Sequence, residues 1–392
     1  MLTYFHKFLI FSCLFIFISS YERYYTVKIG EKEVTYKTTY LVEEDTTIED
    51  DTITSNSLYD ITILVVGGAR LLINPKTIIS KNVPQSNLRN LLQENTENFE
   101  ESDDYKYGLT STIVAVDPGT KIIINKAKIE VDCPFCNGIV ALNGAKVQIN
   151  NSTITTKKEH SKGIVILNDG FADFSGDTTL IKTEGNFSPC LEVDNKGEIE
   201  GSSIQFITQG EGSPLINTLG DGKLTIVEAR GNAQNSQIMV VQGNNIITLY
   251  NSELSCFGKG VFNEERFNGD KNLNNGGIVL YKSDENNKDL VDVQFYNCVL
   301  STNQDNENIP MFSCYNVEAD ITLDNTQTKN GKLFIKSDKT EDSNIYSKIN
   351  LTINNKGFEG KMIAEPNTQI IVKIDKDLMP DNLECNGQVI FQ

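Results

Sequence analysis

"GIVALNGAKVQINNSTIT", residues 138–155, reads as two short strands joined by a polar corner. Residues 163–183, "GIVILNDGFADFSGDTTLIKT", open in the same way, and "GIVLY" opens again at 277–281. Between such openings the apolar residues alternate in a fixed frame. Ile122 and Ile124 precede Ile129 and Val131; Val147 and Ile149 precede Ile154 and Thr156. The frame returns as Ile247 and Leu249 before Leu254 and Cys256, as Val293 and Phe295 before Leu300 and Thr302, and as Ile321 and Leu323 before Thr328. Period-two alternation marks strands with one buried face. The gap between paired strands is too short for a crossover helix and lacks the Asn-Gly or Asp-Gly pairs of hairpins.

The corner carries its own signal. Two residues past the second apolar position stand Lys126, Asn151, Asn251, Asn297 and Asn325. Asparagine is the non-glycine residue that best tolerates a left-handed backbone, which a sharp bend between strands needs. Stacked amides at such corners can also hydrogen-bond to one another along a ladder.

Each unit of this kind leaves an apolar face that it cannot bury alone, so units must stack. Openings fall near Ile61, Ile113, Gly138, Gly163, Pro189, Ser213, Gln237, Gly277, Ile309, Gly331 and Gly360. The expected fold is all-β: a single-stranded, right-handed parallel β-helix, a solenoid of about eleven coils. At ~4.8 Å per coil the rod is roughly 50 Å long. Residues 21–58 are expected to cap it, and 59–392 to form the helix, with inserted loops at 80–108 and 257–276. Long insertions on a rigid scaffold are common binding elements.

Residues 1–20, "MLTYFHKFLIFSCLFIFISS", place Lys7 before an apolar run from Phe8 to Ile18 and small residues at Ser19 and Ser20. That layout is a secretory signal peptide, so the 392-residue chain is expected to be secreted, with no membrane insertion after the signal is removed. Seven cysteines follow it: Cys133, Cys136, Cys190, Cys256, Cys298, Cys314 and Cys385. The odd number leaves at least one unpaired or intermolecular. "CPFC" at 133–136 has redox or zinc half-site spacing. The helix N-terminus or second ligand pair that such chemistry needs is missing, which leaves a local disulfide or two packed thiols.

The formal charge is −18, from 53 acidic and 35 basic residues. The five arginines, Arg23, Arg70, Arg89, Arg230 and Arg266, are scattered along the chain. Nucleic acid, which needs clustered cations, is not an expected partner. An acidic polysaccharide is repelled unless a divalent cation bridges the two.

Chemistry-bearing sets are sparse. Asp169, Asp173 and Asp177 are the best acids within one coil, but their spacing spreads them over a turn and a strand. His160 is the only histidine after the signal and sits in a turn, so no Ser–His–Asp set can be assembled. No catalytic residue is expected. Calcium is the better candidate chemistry, because it takes six to eight oxygens. Glu100, Glu101, Asp103 and Asp104 concentrate acids on one inserted loop, and Glu43, Glu44, Asp45, Glu49, Asp50 and Asp51 do so near the cap; neither cluster has EF-hand spacing, and a solubilising acidic surface is the alternative for both. Tyr250, Tyr281 and Tyr296 lie at strand ends or corners, where a ring pointing outward can stack on a sugar; packing between coils is the alternative. Sequons at Asn150, Asn186 and Asn350 are glycosylation candidates, whereas the one at Asn151 conflicts with its corner role.

The run of "SDDYKYGLTSTIVAV", "GIVALNGAKVQINNSTITT", "KTEGNFSPCLEV", "FITQGEGSPLINT" and "MFSCYNVEADITLDN" resembles secreted right-handed parallel β-helix proteins of anaerobic bacteria and some microbial eukaryotes. Those proteins are described as adhesin-like or carbohydrate-binding. The similarity covers roughly residues 40–375 as a diffuse pattern. It implies a secreted or cell-surface binding protein for polysaccharide, assisted by calcium and without catalysis. A polysaccharide lyase or glycoside hydrolase acting on pectin-like substrates is the first alternative. A structural surface-coat protein is the second.

Overall fold

A computed structural model of the protein describes residues 23–29, 31–49, 52–55, 61–74, 77–81, 111–259, 275–281, 290–303, 308–339, 347–354, 358–380 and 383–392. Nearly all of it is strand, wound as a parallel β-solenoid of about eleven turns. The described strands form three sheets of 14, 13 and 10 strands, and as far as the strand Gln327–Lys329 each coil gives one strand to each in turn, so that every third strand in sequence order is a neighbour. All pairings are parallel except the first, where β1 (Arg23–Ile29) lies antiparallel to β2 (Lys32–Val42). The later coils contribute only to the first and second sheets.

The repeated openings fall where a strand of the first sheet begins. Of the expected starts, Gly138 is the second residue of the strand Asn137–Leu142, and Gly163 and Gly277 immediately precede the strands Ile164–Leu167 and Ile278–Tyr281. The glycine itself answers to crowding from the next coil. A Cβ on Gly163 would lie 2.5 Å from both the Cys190 carbonyl oxygen and Ile181 Cγ2, and one on Gly138 would lie 2.5 Å from the Gly163 oxygen. One further coil precedes those read from the sequence. β2, Thr46–Ile48 and Thr52–Ser55 already occupy the three sheets, so the solenoid takes in most of the segment assigned to the cap. That segment is rich in Thr and acids, which obscures the alternation; β1 alone stands outside the winding.

The alternating residues close a single core that runs along the axis. Ile122, Ile124, Ile129 and Val131 are fully buried, as are Ile247, Leu249, Val293 and Phe295. Farther along, Phe295, Phe312, Phe334 and Phe358 pass ring to ring at 5.1–6.2 Å. Full burial of such side chains contributes about 1.5–3 kcal/mol each.

The corner between the second and third sheets is left-handed at seven non-glycine residues among those described. φ is +54° at Lys126, +50° at Asn151, +56° at Ser203, +59° at Glu228, +50° at Asn251, +55° at Asn297 and +46° at Asn325. The amide ladder is local: Asn325 Nδ2 donates to Asn297 Oδ1 at 2.7 Å, while Asn151 Nδ2 donates sideways to Asp177 at 3.2 Å. A second amide column lies on the flank of that corner, where Asn125 donates to Asn74 at 3.3 Å and Asn150 meets Asn125 at 2.7 Å.

A serine column, not foreseen from the sequence, holds the corner that returns to the first sheet. The backbone N–H of Cys136 donates to Ser161 Oγ at 3.3 Å, that of Ser161 to Ser188 at 2.9 Å, and that of Ser188 to Ser213 at 2.9 Å. Each hydroxyl in turn donates back to a carbonyl of the preceding coil, at 2.7, 3.2 and 2.9 Å. Buried N–H groups at a bend otherwise lack partners, so the hydroxyl supplies what the strand ladder cannot.

Candidate functional site

The outward faces of the three sheets differ sharply in exposure. On the first sheet, outward residues are buried: Leu64, Val114, Val140, Val165, Val240 and Val279 are at most 1% exposed. At one end the β1–β2 hairpin packs into this layer through Ile29, Val34 and Tyr36. Farther along, Lys162 Nζ meets Glu192 at 2.7 Å with side chains 3% and 0% exposed, and Asn217 Nδ2 donates to the same carboxylate at 2.6 Å.

Tyr281 belongs to this buried layer. It is 1% exposed, packs with Val240, Val279 and Tyr315, and its hydroxyl donates to Gln242 at 2.7 Å. The expectation that it faces a sugar is therefore corrected. Its strand lies in the first sheet, whose outer side is closed, and alternation alone does not distinguish a closed outer side from an open one.

Tyr250 and Tyr296 have the opposite placement. They close the outward edge of neighbouring strands Ile246–Tyr250 and Leu290–Tyr296 in the second sheet, in register with each other. Their rings stack at 5.0 Å with 14° between planes, and Tyr250 is 36% exposed. Beside them run Thr225, Thr248 and Gln294. Tyr296 Oη donates to Gln294 Oε1 at 3.1 Å, and Gln294 Nε2 donates to Asp292 at 2.8 Å. Burial raises the Tyr296 phenol above its usual range, and the neighbouring Tyr250, Asp324 and Asp292 reinforce this. The ring is thus a neutral hydrogen-bonding phenol across physiological pH.

Asp292 stands directly below Asp320 of the next strand, and Asn350 Nδ2 donates to Asp320 at 2.7 Å. Partial burial, reduced by the Gln294 hydrogen bond and reinforced by Asp320, holds the Asp292 carboxyl above the ordinary carboxylate range.

Round the corner from Tyr250 an open groove is lined by Thr178, Ser203, Gln205, Glu228, Arg230 and Asn251. It exists because one coil breaks the frame. By strand register the coil carrying Ser175–Thr178 is two residues longer through this corner than the coil before it, since Lys146 pairs with Phe171 and Thr153 with Leu180, and the longer bend forms one wall. Asn251 follows Tyr250 directly, so platform and groove are continuous.

Among the described residues, the remaining expected ones do not gather into a site. Glu100, Glu101, Asp103 and Asp104 lie outside the described residues, as do residues 1–20 and most of both inserted loops. Asp45 accepts the Arg70 N–H at 2.9 Å. Asp169, Asp173 and Asp177 fall on one corner, an outer strand face and another corner, so they do not converge. Among the described residues no three His, Cys, Asp or Glu side chains group as a metal site. His160 is sandwiched between Phe135 and Phe187, with centroids 4.7 and 5.0 Å away. Cys133 and Cys136, on either side of Phe135 in sequence, form a local disulfide, while Cys190, Cys256, Cys298 and Cys314 are buried free thiols and Cys385 is exposed.

Of the sequons, Asn150 and Asn350 have amides committed to hydrogen bonds, whereas Asn186 is exposed and its Oδ1 accepts the Glu211 N–H at 3.0 Å. Two features of this region escaped the sequence reading, the in-register Asp292–Asp320 pair and the groove. Aligning the coils column by column brings the acids together, and the extra residues in "SGDTT" mark the groove.

Compared with protein-family models, with curated proteins and with solved structures, the chain matches none.

Proposed function

We propose that this is an exported, adhesin-like binding protein that receives a polysaccharide chain on the outer face of its second sheet. The observation that carries the reading is the stacked, solvent-facing Tyr250–Tyr296 pair. Flat rings offer the apolar faces of sugars a platform, and the adjoining hydroxyl and amide groups meet the sugar's own hydroxyls. Thr225, Thr248 and Gln294 provide these along the sheet, and Ser203, Gln205 and Asn251 provide them in the groove. Calcium assistance belongs to the same proposal through the acidic loop at 100–104.

A polysaccharide-cleaving enzyme is a second reading, favoured by one observation. Asp292 and Asp320 stand in register on the same face of adjacent strands, close enough that Asp320 acts on the Asp292 carboxyl, and paired carboxylates are what glycoside hydrolysis uses.

The test is retention on insoluble plant and microbial glycans, with calcium and with chelator, while soluble reducing ends are followed. Retention without release supports the binder, and release supports the enzyme. Tyr250→Ala and Tyr296→Ala should each weaken retention about five-fold, as expected for an aromatic contact of ~1 kcal/mol. A double variant that binds as the parent does refutes the platform.

A further inference from the structure

One outward column of the second sheet holds, in register along ten strands, Arg70, Lys121, Lys146, Phe171, Glu198, Lys223, Ile246, Asp292, Asp320 and Asn350. Like charges stacked on adjacent strands repel one another. Yet three cations stand together at one end and two carboxylates at the other. Among the described residues none of these five has an ion-pair partner. The protein does pair charges elsewhere on the same face, for Lys223 Nζ meets Glu198 at the middle of the column.

Read backwards, the column complements itself. A two-fold axis along the strand direction, midway between Glu198 and Lys223, sets Lys146 against Asp292 of a second copy and Lys121 against Asp320. It also sets Phe171 against Ile246, which is 47% exposed. The next column agrees: Asp173 and Glu200 come opposite Thr248 and Thr225, so no like charges meet.

We propose that a second copy of this chain docks face to face and antiparallel on the second sheet, in an isologous dimer. Ten strands at ~4.8 Å by about five residues at ~3.3 Å cover roughly 800 Å² per partner, the size of a standard interface. Such an interface is self-complementary, as a two-fold requires. In it Tyr250 falls opposite Ser175 of the second copy, so a second copy and a glycan on the platform exclude each other.

The net charge of −18 opposes association at long range. At ~0.15 M salt, screening beyond ~8 Å removes most of that repulsion and leaves facing charges attractive; at ~1 M, with ~3 Å, the attraction goes too.

Sedimentation velocity over a concentration series tests this with the full chain. The parent should dimerise near 0.15 M salt and dissociate near 1 M. Lys121→Glu with Lys146→Glu, and separately Asp292→Lys with Asp320→Lys, should each weaken self-association on the order of ten-fold or more, from four lost pairs per dimer. Mixing the two variants restores opposite charges at every facing position and should restore the dimer, which misfolded variants cannot do. A parent that stays monomeric, or a mixture that associates no better than its components, overturns the proposal.

Discussion

Asn297 tests the left-handed corner most directly. Its φ is +55°, it is exposed, and its Oδ1 accepts the Asn325 amide at 2.7 Å. Asn297→Gly keeps the backbone geometry and loses one exposed hydrogen bond, for a destabilisation of about 0.5–1 kcal/mol. Asn297→Val loses the same bond and forces a β-branched residue into a left-handed conformation, which adds roughly 1–2 kcal/mol. The two variants should therefore differ by about 1–2 kcal/mol, with valine the less stable, although valine has the higher strand propensity. Urea unfolding of parent and variants, followed by circular dichroism, measures this as a shift in midpoint at constant slope. If valine matches or exceeds glycine, the corner does not depend on left-handed geometry and the argument fails.

Four further outcomes turn on how far individual groups are buried. Glu192→Ala removes a carboxylate 2.7 Å from the buried Lys162 ammonium, and thermal or urea unfolding should show a loss of about 3–5 kcal/mol. Burial raises the Cys190 and Cys256 thiols to about 12, and also raises Cys314. These groups stay protonated in the fold where an unfolded thiol ionises, so their contribution is complete below pH ~9 and is lost as pH rises toward 12; unfolding midpoints should fall over that window. In the native protein lacking residues 1–20, a thiol reagent should react rapidly with Cys385 alone and reach the other four only on unfolding. Asp292, held above its ordinary range by burial and then by Asp320, favours folding when protonated and loses that contribution as pH rises through its folded pKa. Asp292→Asn should therefore be neutral or stabilising at pH 7, and the difference from the parent should vanish in acid; a loss of stability at neutral pH contradicts the assignment.

The winding was legible because alternation and corner residues repeat with the coil. Ile122, Val147, Ile247 and Val293 needed only to be recognised as equivalent positions for the core to follow. Tyr250 and Tyr296 were singled out as strand-end residues, and their stacking is a consequence of equal position on adjacent strands. Tyr281 misled because its strand belongs to the sheet whose outer side is closed, a property set by packing beyond the strand itself. The charged column was invisible for a different reason. Arg70, Lys121 and Lys146 are far apart along the chain and look scattered until winding stacks them.

The serine column also bears on how such a chain can change length. Ser161, Ser188 and Ser213 each turn the same hydroxyl toward the preceding coil, where it accepts one backbone amide and donates to one carbonyl, so each storey offers its neighbours an identical socket. Excising one storey joins Ser161 to Ser213 without altering the chemistry of the joint. Duplication or loss of whole storeys is thereby tolerated at this corner, whereas a gain or loss of part of one is not.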